Sequence, residues 1–203
     1  MERKPTGSND QSARRPAKTK KQGEGESSSS GEQAPKRGRK LSEYGKQLAE
    51  KQKVKEMYGM REKQFRRFFQ VALKTREGGT GENLLSLLER RLDNTLFRLK
   101  MATSRTQARQ IIVHGHIKVN GHRVSSPSYL VSVNDQVSLI DNVVNKKAFL
   151  EQVIDKRLKM GIKVPEWLEL DKNERIGKIL RNPVRSDIQV PIEEHLIVEL
   201  YSK

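Results

Sequence analysis

Apolar residues recur at helical spacing from Tyr44 to Ile112 and then switch to alternation between Ile117 and Ile140. Ser42 is a capping residue, and Tyr44, Leu48 and Val54 predict a helix to about Tyr58, with Gly59 as its stop. Phe65, Phe68, Phe69, Ala72 and Leu73 stand at i, i+3, i+4, i+7 and i+8, which predicts a second amphipathic helix from Arg61 to about Arg76. This cluster reads as core rather than as a platform for stacked bases. Gly78-Gly79 ends the helix and Thr80 caps the next, whose broad apolar face is Leu84, Leu85, Leu87, Leu88 and Leu92. Asp93 or Asn94 restarts a short helix through Leu96, Phe97 and Leu99. Ser104 to Gln107 matches the S-x-x-Q capping box, and the helix it opens buries Ala108, Ile111 and Ile112 before Gly115 closes it.

Beyond Gly115 the period becomes two. Ile117–Val119 and His122–Val124 are strands around Asn120-Gly121, a strong two-residue hairpin signal. Pro127 ends the second strand, and Tyr129–Val133 and Gln136–Ile140 alternate again about an Asn134-Asp135 turn. Asn145 caps a helix carrying Phe149, Leu150, Val153, Ile154 and Leu158, with Gly161 as its end. Pro165, Trp167, Leu168 and Leu170 form an apolar knot, with Trp167 expected in the core. Asp171 to Glu174 reads as a further capping box, and Leu196–Tyr201 alternates like a strand. These elements predict an α+β fold. A mostly helical lobe is built from discontinuous segments, 36–90 plus 141–203, and residues 91–140 form an inserted module of helices and short antiparallel strands.

Residues 1–35 break this pattern. They hold hardly an apolar side chain, and GEGESSSSGEQ has too little to bury to offset its own ordering entropy, so a disordered basic arm is expected. Charge is unevenly spread. The 203 residues carry 41 Lys+Arg against 25 Asp+Glu, a formal +16. Net charge is +6 over residues 1–40, +5 over 41–80, +4 over 81–140 and only +1 over 141–203. An excess of this size implies a polyanionic partner, and nucleic acid is the commonest. Lys63, Arg66, Arg67 and Lys74 lie off the apolar stripe of their helix with few acids among them, which suits a phosphate-facing surface. Arg105 and Arg109 share one face of a later helix, whose N-terminal N–H groups suit an anion.

Candidate chemistry is otherwise sparse. Without cysteine, disulfides, thiol catalysis and Cys-ligated zinc are excluded. His114, His116 and His122 fall close together, but no carboxylate pattern beside them makes a metal site, so no cofactor is expected. No apolar run is long enough for a membrane span and no secretory signal is read, which predicts a cytoplasmic protein. No Gly-rich phosphate loop, HExxH or Ser/His/Asp arrangement is present. Arg91-Leu92-Asp93-Asn94-Thr95 echoes the R-L-D-x-x-T around the catalytic aspartate of some pseudouridine synthases. No G-L-L segment follows and no catalytic domain remains to be placed, so Asp93 is expected to serve as a helix cap or as the buried ion-pair partner of an Arg. A free RNA-binding factor built on the same module is a second rival, opposed by the segments that flank it.

The motifs KLSEYGKQLAEKQK, EKQFRRFF, GENLLSLLERRLDN, SRTQARQIIVHGHIKVNG, SPSYLV, VPEWLELD and HLIVELYSK occur in order along residues 36–203. Together they closely resemble the S-four family of small-subunit ribosomal proteins. The resemblance implies a structural, non-enzymatic protein of the ribosome and a primary assembly protein that binds the 5′ domain of 16S ribosomal RNA. It implies proteins S-five and S-three as neighbours, a place by the path along which messenger RNA enters, and influence on decoding accuracy. Some members also bind their own messenger RNA. Carried over residue by residue, the RNA-facing set is Lys40, Tyr44, Lys46, Arg61, Lys63, Arg66, Arg67, Arg91, Arg105, Arg109, His114, His116, Lys118, Asn120 and Arg123. Two departures stand out. Many members hold zinc with four N-terminal cysteines that are absent here, and Asn134 stands where a Gly commonly precedes the Asp, a change that Asn tolerates.

Overall fold

In the computed structural model, residues 42–76, 78–140, 163–171 and 173–202 are described. The arm at 1–35, Lys40 and the helix expected from Asn145 to Gly161 lie outside them. Helix α1 spans Glu43–Met57 and opens on the expected cap, with Ser42 Oγ accepting from the Gly45 N–H at 3.2 Å. It stops at Tyr58, and Gly59 turns the chain at φ +57°. Helix α2, Glu62–Lys74, buries Phe65, Phe69 and Ala72. Leu73, at the edge of the predicted stripe, is 60% exposed, so the buried face is narrower than the apolar one. Helix α3, Thr80–Glu89, is capped by Gly79, with Thr80 as its first residue. Helix α4, Leu92–Arg98, has Arg91 as its cap, just ahead of the Asp93 or Asn94 expected. Helix α5, Arg105–Val113, keeps half of its capping box. Ser104 Oγ accepts from the Gln107 N–H at 3.1 Å, while Gln107 Oε1 accepts from the N–H and Oγ1 of Thr103.

Strands β1 (Ile117–Val119) and β2 (His122–Arg123) pair Lys118 with Arg123 and Val119 with His122. Asn120 and Gly121 between them take φ +50° and +79°, the two left-handed residues that a tight right-twisted hairpin requires. Strand β3 (Gln136–Leu139) lies antiparallel to β1. Tyr129–Val133 is not the strand its alternation suggested. Leu130 makes an isolated bridge to Arg91, and Asn134 takes the left-handed φ of +70° expected of it.

Two C-terminal expectations are corrected. Asp171–Glu174 caps no helix. Leu168–Asp171 (β4) and Ile176–Ile179 (β5) are paired antiparallel strands, and Asp171 Oδ1 accepts from the N–H groups of Asn173 and Glu174 at 2.8 and 3.1 Å. The side-chain bonds that can cap a helix close a turn equally well, because both satisfy N–H groups two and three residues on. Leu196–Tyr201 is no strand but part of helix α6, Glu194–Ser202. Ile197, Val198 and Tyr201 share one helical face against α1, α2 and α3. A short apolar run fits either period, and packing decides. Gly81 makes that packing possible, since a Cβ there would stand 2.7 Å from Glu194.

All five strands form one antiparallel sheet in the order β2-β1-β3-β5-β4. Its core joins Leu92, Leu96, Leu99, Ile111, Ile112, Val137, Trp167 and Ile179. A second core joins Val54, Phe65, Phe69, Leu84 and Leu88 to Ile188, Ile192 and Ile197. The helical core thus comes from discontinuous sequence. Strands β4 and β5, however, extend the sheet of the central module, so the described residues after 163 are divided between the two cores.

Candidate nucleic-acid interface

Between the two apolar cores lies a buried polar layer at the α3–α4 junction: Glu89, Arg91, Asp93, Asn94 and Thr95. Charged groups survive burial only when paired, and here each charge is, with Arg91 Nη1 alone in this layer lacking a hydrogen-bond partner among the described residues. Asp93 accepts from Arg91 Nε and Nη2 at 3.0 and 2.7 Å, from Arg109 Nε at 2.7 Å and from the Asn94 N–H at 2.9 Å. That is the ion-pair role weighed for it. The remaining nitrogens of Arg109 donate to the carbonyls of Tyr58 and Gly59, fastening α5 to the end of α1. Arg91 is 2% exposed, with its guanidinium 5.3 Å over the Phe68 ring. Two members of the expected RNA-facing set, Arg91 and Arg109, therefore spend their guanidiniums on the protein itself.

Glu89 gathers a second group. It accepts from Tyr58 Oη, Arg98 Nη2 and Asn94 Nδ2, each at 2.7 Å. Burial alone would push its carboxyl up, but the bonds from Arg98, Tyr58 and Asn94 outweigh that and hold it below the usual range. Burial and the adjacent Glu89 charge drive the Tyr58 hydroxyl well above its ordinary value. Asn94 turns its Oδ1 outward to accept from Arg105 Nε at 2.9 Å. The Arg105 guanidinium lies 5.1 Å from the Tyr58 ring and 4.6 Å from the Phe97 ring. Sequence reasoning missed Glu89, Asn94 and Arg98 as organisers. The signal was present as charged and amide residues inside ERRLDNTLFR, among the apolar Leu92, Leu96 and Phe97.

The other expected residues stand differently. Tyr44, 58% exposed, and Lys46 project from α1. Arg61 caps α2, and Lys63, Arg66 and Arg67 are exposed on it, away from Phe65, Phe69 and Ala72. Among the described residues none of these five cations forms an ion pair. At the hairpin, the His114 ring stacks on that of His116 at 5.9 Å, and Lys118 on β1 faces Arg123 on β2. Arg123 donates to the His114 carbonyl at 3.1 Å and lies over Gly115, where φ is +69° and a Cβ would meet its Nε at 2.1 Å. Asn120 turns inward, with Nδ2 donating to Asp135 at 2.7 Å and Oδ1 accepting from the Gln136 N–H at 2.9 Å. Among the described residues no group of His, Asp or Glu is arranged to hold a metal ion, and no helix is long and apolar enough to cross a membrane.

Comparison with known proteins converges on one family. The family model described as S4 domain matches residues 90–137. The model described as Ribosomal protein S4/S9 N-terminal domain matches residues 3–89. The chain is 53% identical over 165 residues to the small ribosomal subunit protein uS4 of Caldicellulosiruptor saccharolyticus, covering 81% of this chain and 77% of that one. It is 50% identical over 167 residues to the protein of the same name from Halothermothrix orenii, covering 82% and 78%. The corresponding protein of Ruminiclostridium cellulolyticum is 49% identical over 167 residues, covering 81% and 77%. With these models matched along residues 3–137 and a relative 53% identical over 81% of this chain, the chain belongs to the bacterial-type uS4 family of small-subunit ribosomal proteins.

Proposed function

We propose that this chain is a structural constituent of the small ribosomal subunit that binds the 5′ domain of 16S ribosomal RNA and nucleates assembly of the body. The same reading places it beside proteins S-five and S-three in the cytoplasmic ribosome, with an influence on translational accuracy. It also includes binding to its own messenger RNA, as in some members of the family. The observation that carries the RNA-binding part is the division of labour among cations. Arg91, Arg98 and Arg109 are paired inside the protein. Lys46, Arg61, Lys63, Arg66 and Arg67 stand exposed without ion pairs among the described residues. Unpaired exposed cations are held apart by mutual repulsion at a cost that bound phosphates remove. Arg105 and Arg123 extend this surface onto the module, and recognition is through RNA shape and backbone more than base sequence.

The test is binding of the full chain to a transcript of the 16S 5′ domain over a range of salt. Lys63→Ala with Arg67→Ala lowers the slope of log affinity against log salt by roughly one unit per lost contact. An unchanged slope in the double variant removes α2 from the interface. Wild-type chain that binds this transcript no better than an unrelated structured RNA overturns the 5′-domain assignment.

A further inference from the structure

Arg105 is held differently from Arg91, Arg109, Arg66 and Arg67. It is neither consumed inside, as Arg91 and Arg109 are, nor left swinging in solvent, as Arg66 and Arg67 are. Its Nε is spent on Asn94 Oδ1 at 2.9 Å, and its guanidinium plane lies against both Tyr58 and Phe97. Its two Nη groups have no acceptor among the described residues and are not sealed from solvent. We propose that Asn94, itself held by Glu89, is a positioning residue that presents Arg105 as a fixed two-pronged donor to an RNA phosphate. This rests on the RNA-binding function proposed above.

The chemistry of position 94 supports the assignment. Its Nδ2 donates to the Glu89 carboxylate at 2.7 Å and to the Glu89 carbonyl at 2.9 Å, and its Oδ1 accepts from Arg105. A carboxamide donates to a carboxylate through its NH2 group and accepts from a guanidinium through its oxygen at once, as Asn94 does here. An Asp there would set two buried carboxylates against each other. Glu89 is in turn anchored by Tyr58 from the end of α1 and by Arg98 from α4. The relay Glu89–Asn94–Arg105 therefore begins in the rigid layer between the two cores and ends at the surface. A guanidinium fixed at Nε and walled by two rings has lost its freedom before the RNA arrives. Binding then orders less of the side chain. Arg105 also opens α5, so the positive end of that helix lies at the same place.

The test is a double-mutant cycle on the full chain with the 5′-domain transcript, reading affinity, salt slope and thermal midpoint for each variant. Arg105→Ala weakens binding roughly ten-fold and lowers the salt slope by about one unit. Asn94→Ala weakens binding roughly five-fold with the slope unchanged, and adds nothing once Arg105 is Ala. Arg105→Lys, which keeps the charge and the fold but not the fork, keeps the slope and loses affinity as Asn94→Ala does. Independent losses from Asn94→Ala and Arg105→Ala overturn the relay. So does wild-type affinity in Arg105→Lys, which decides the matter even if Asn94→Ala fails to fold. Loss of binding in the α2 variants with none in Arg105→Ala sinks the relay alone. A wild-type chain that does not bind the transcript sinks the functional reading instead.

Discussion

Arg67 and Arg109 are the same residue type, both expected at the RNA, yet they do different work. Arg67 stands exposed on α2, whereas Arg109 bonds Asp93 and two carbonyls at the end of α1. Arg109→Ala strips a buried carboxylate of one partner and two carbonyls of their donors. Its cost falls on folding, about 2–3 kcal/mol in denaturant unfolding, with the salt slope of RNA binding left as in wild type. A lowered slope with an unchanged midpoint would return Arg109 to the interface. Acid also acts at single residues. Glu89 and Asp187 are held below the usual carboxyl range, Glu89 by Arg98, Tyr58 and Asn94 against its burial, and Asp187 by Arg181 and the Val184 N–H against its own. A depressed folded-state value stabilises above the unfolded pKa, roughly 4, and that stability is lost as pH falls through the folded value. The denaturant midpoint should therefore hold from neutral pH to about 5 and fall below 4. Glu89→Gln should shorten that acid limb, and a limb unchanged in the variant removes Glu89 from the effect.

At the scale of elements, the legible pieces were those whose caps and periods agree. Ser42 and Ser104 cap the helices they were expected to cap, Gly59 and Gly115 take the left-handed turns that end them, and Asn120-Gly121 makes its hairpin. The pieces read wrongly were short stretches whose local signals fit two answers. HLIVELY fits a strand or a helix, and only the partners offered by α1, α2 and α3 select the helix. The sheet extension β4–β5 also depends on one close approach. A Cβ at Gly177 would stand 2.3 Å from Leu99, whose side chain is fully buried. Gly177→Ala should cost about 1–3 kcal/mol through overpacking. The buried Trp167, the only tryptophan, reports on this core by its fluorescence. An unchanged unfolding midpoint would mean that Leu99 can yield.

Across the whole molecule, the amino-acid sequence by itself determined that the chain is an α+β protein with a helix-then-hairpin module, and that its charge excess lies before residue 140. Those properties are local or additive: a cap, a period, a left-handed turn or a sum of charges does not depend on what packs against it. Tertiary structure alone decided which cations remain available. Arg91, Arg98, Arg105 and Arg109 look equivalent along the chain. The layer between the two cores buries the first, pairs the second with Glu89, steers the third through Asn94 and ties the fourth to α1. The same packing split residues 163–202 between the sheet and the helical core. Both outcomes follow from contacts between residues far apart in sequence, where burial makes an unpaired charge too costly to leave and a short apolar run takes whichever period its neighbours can cover.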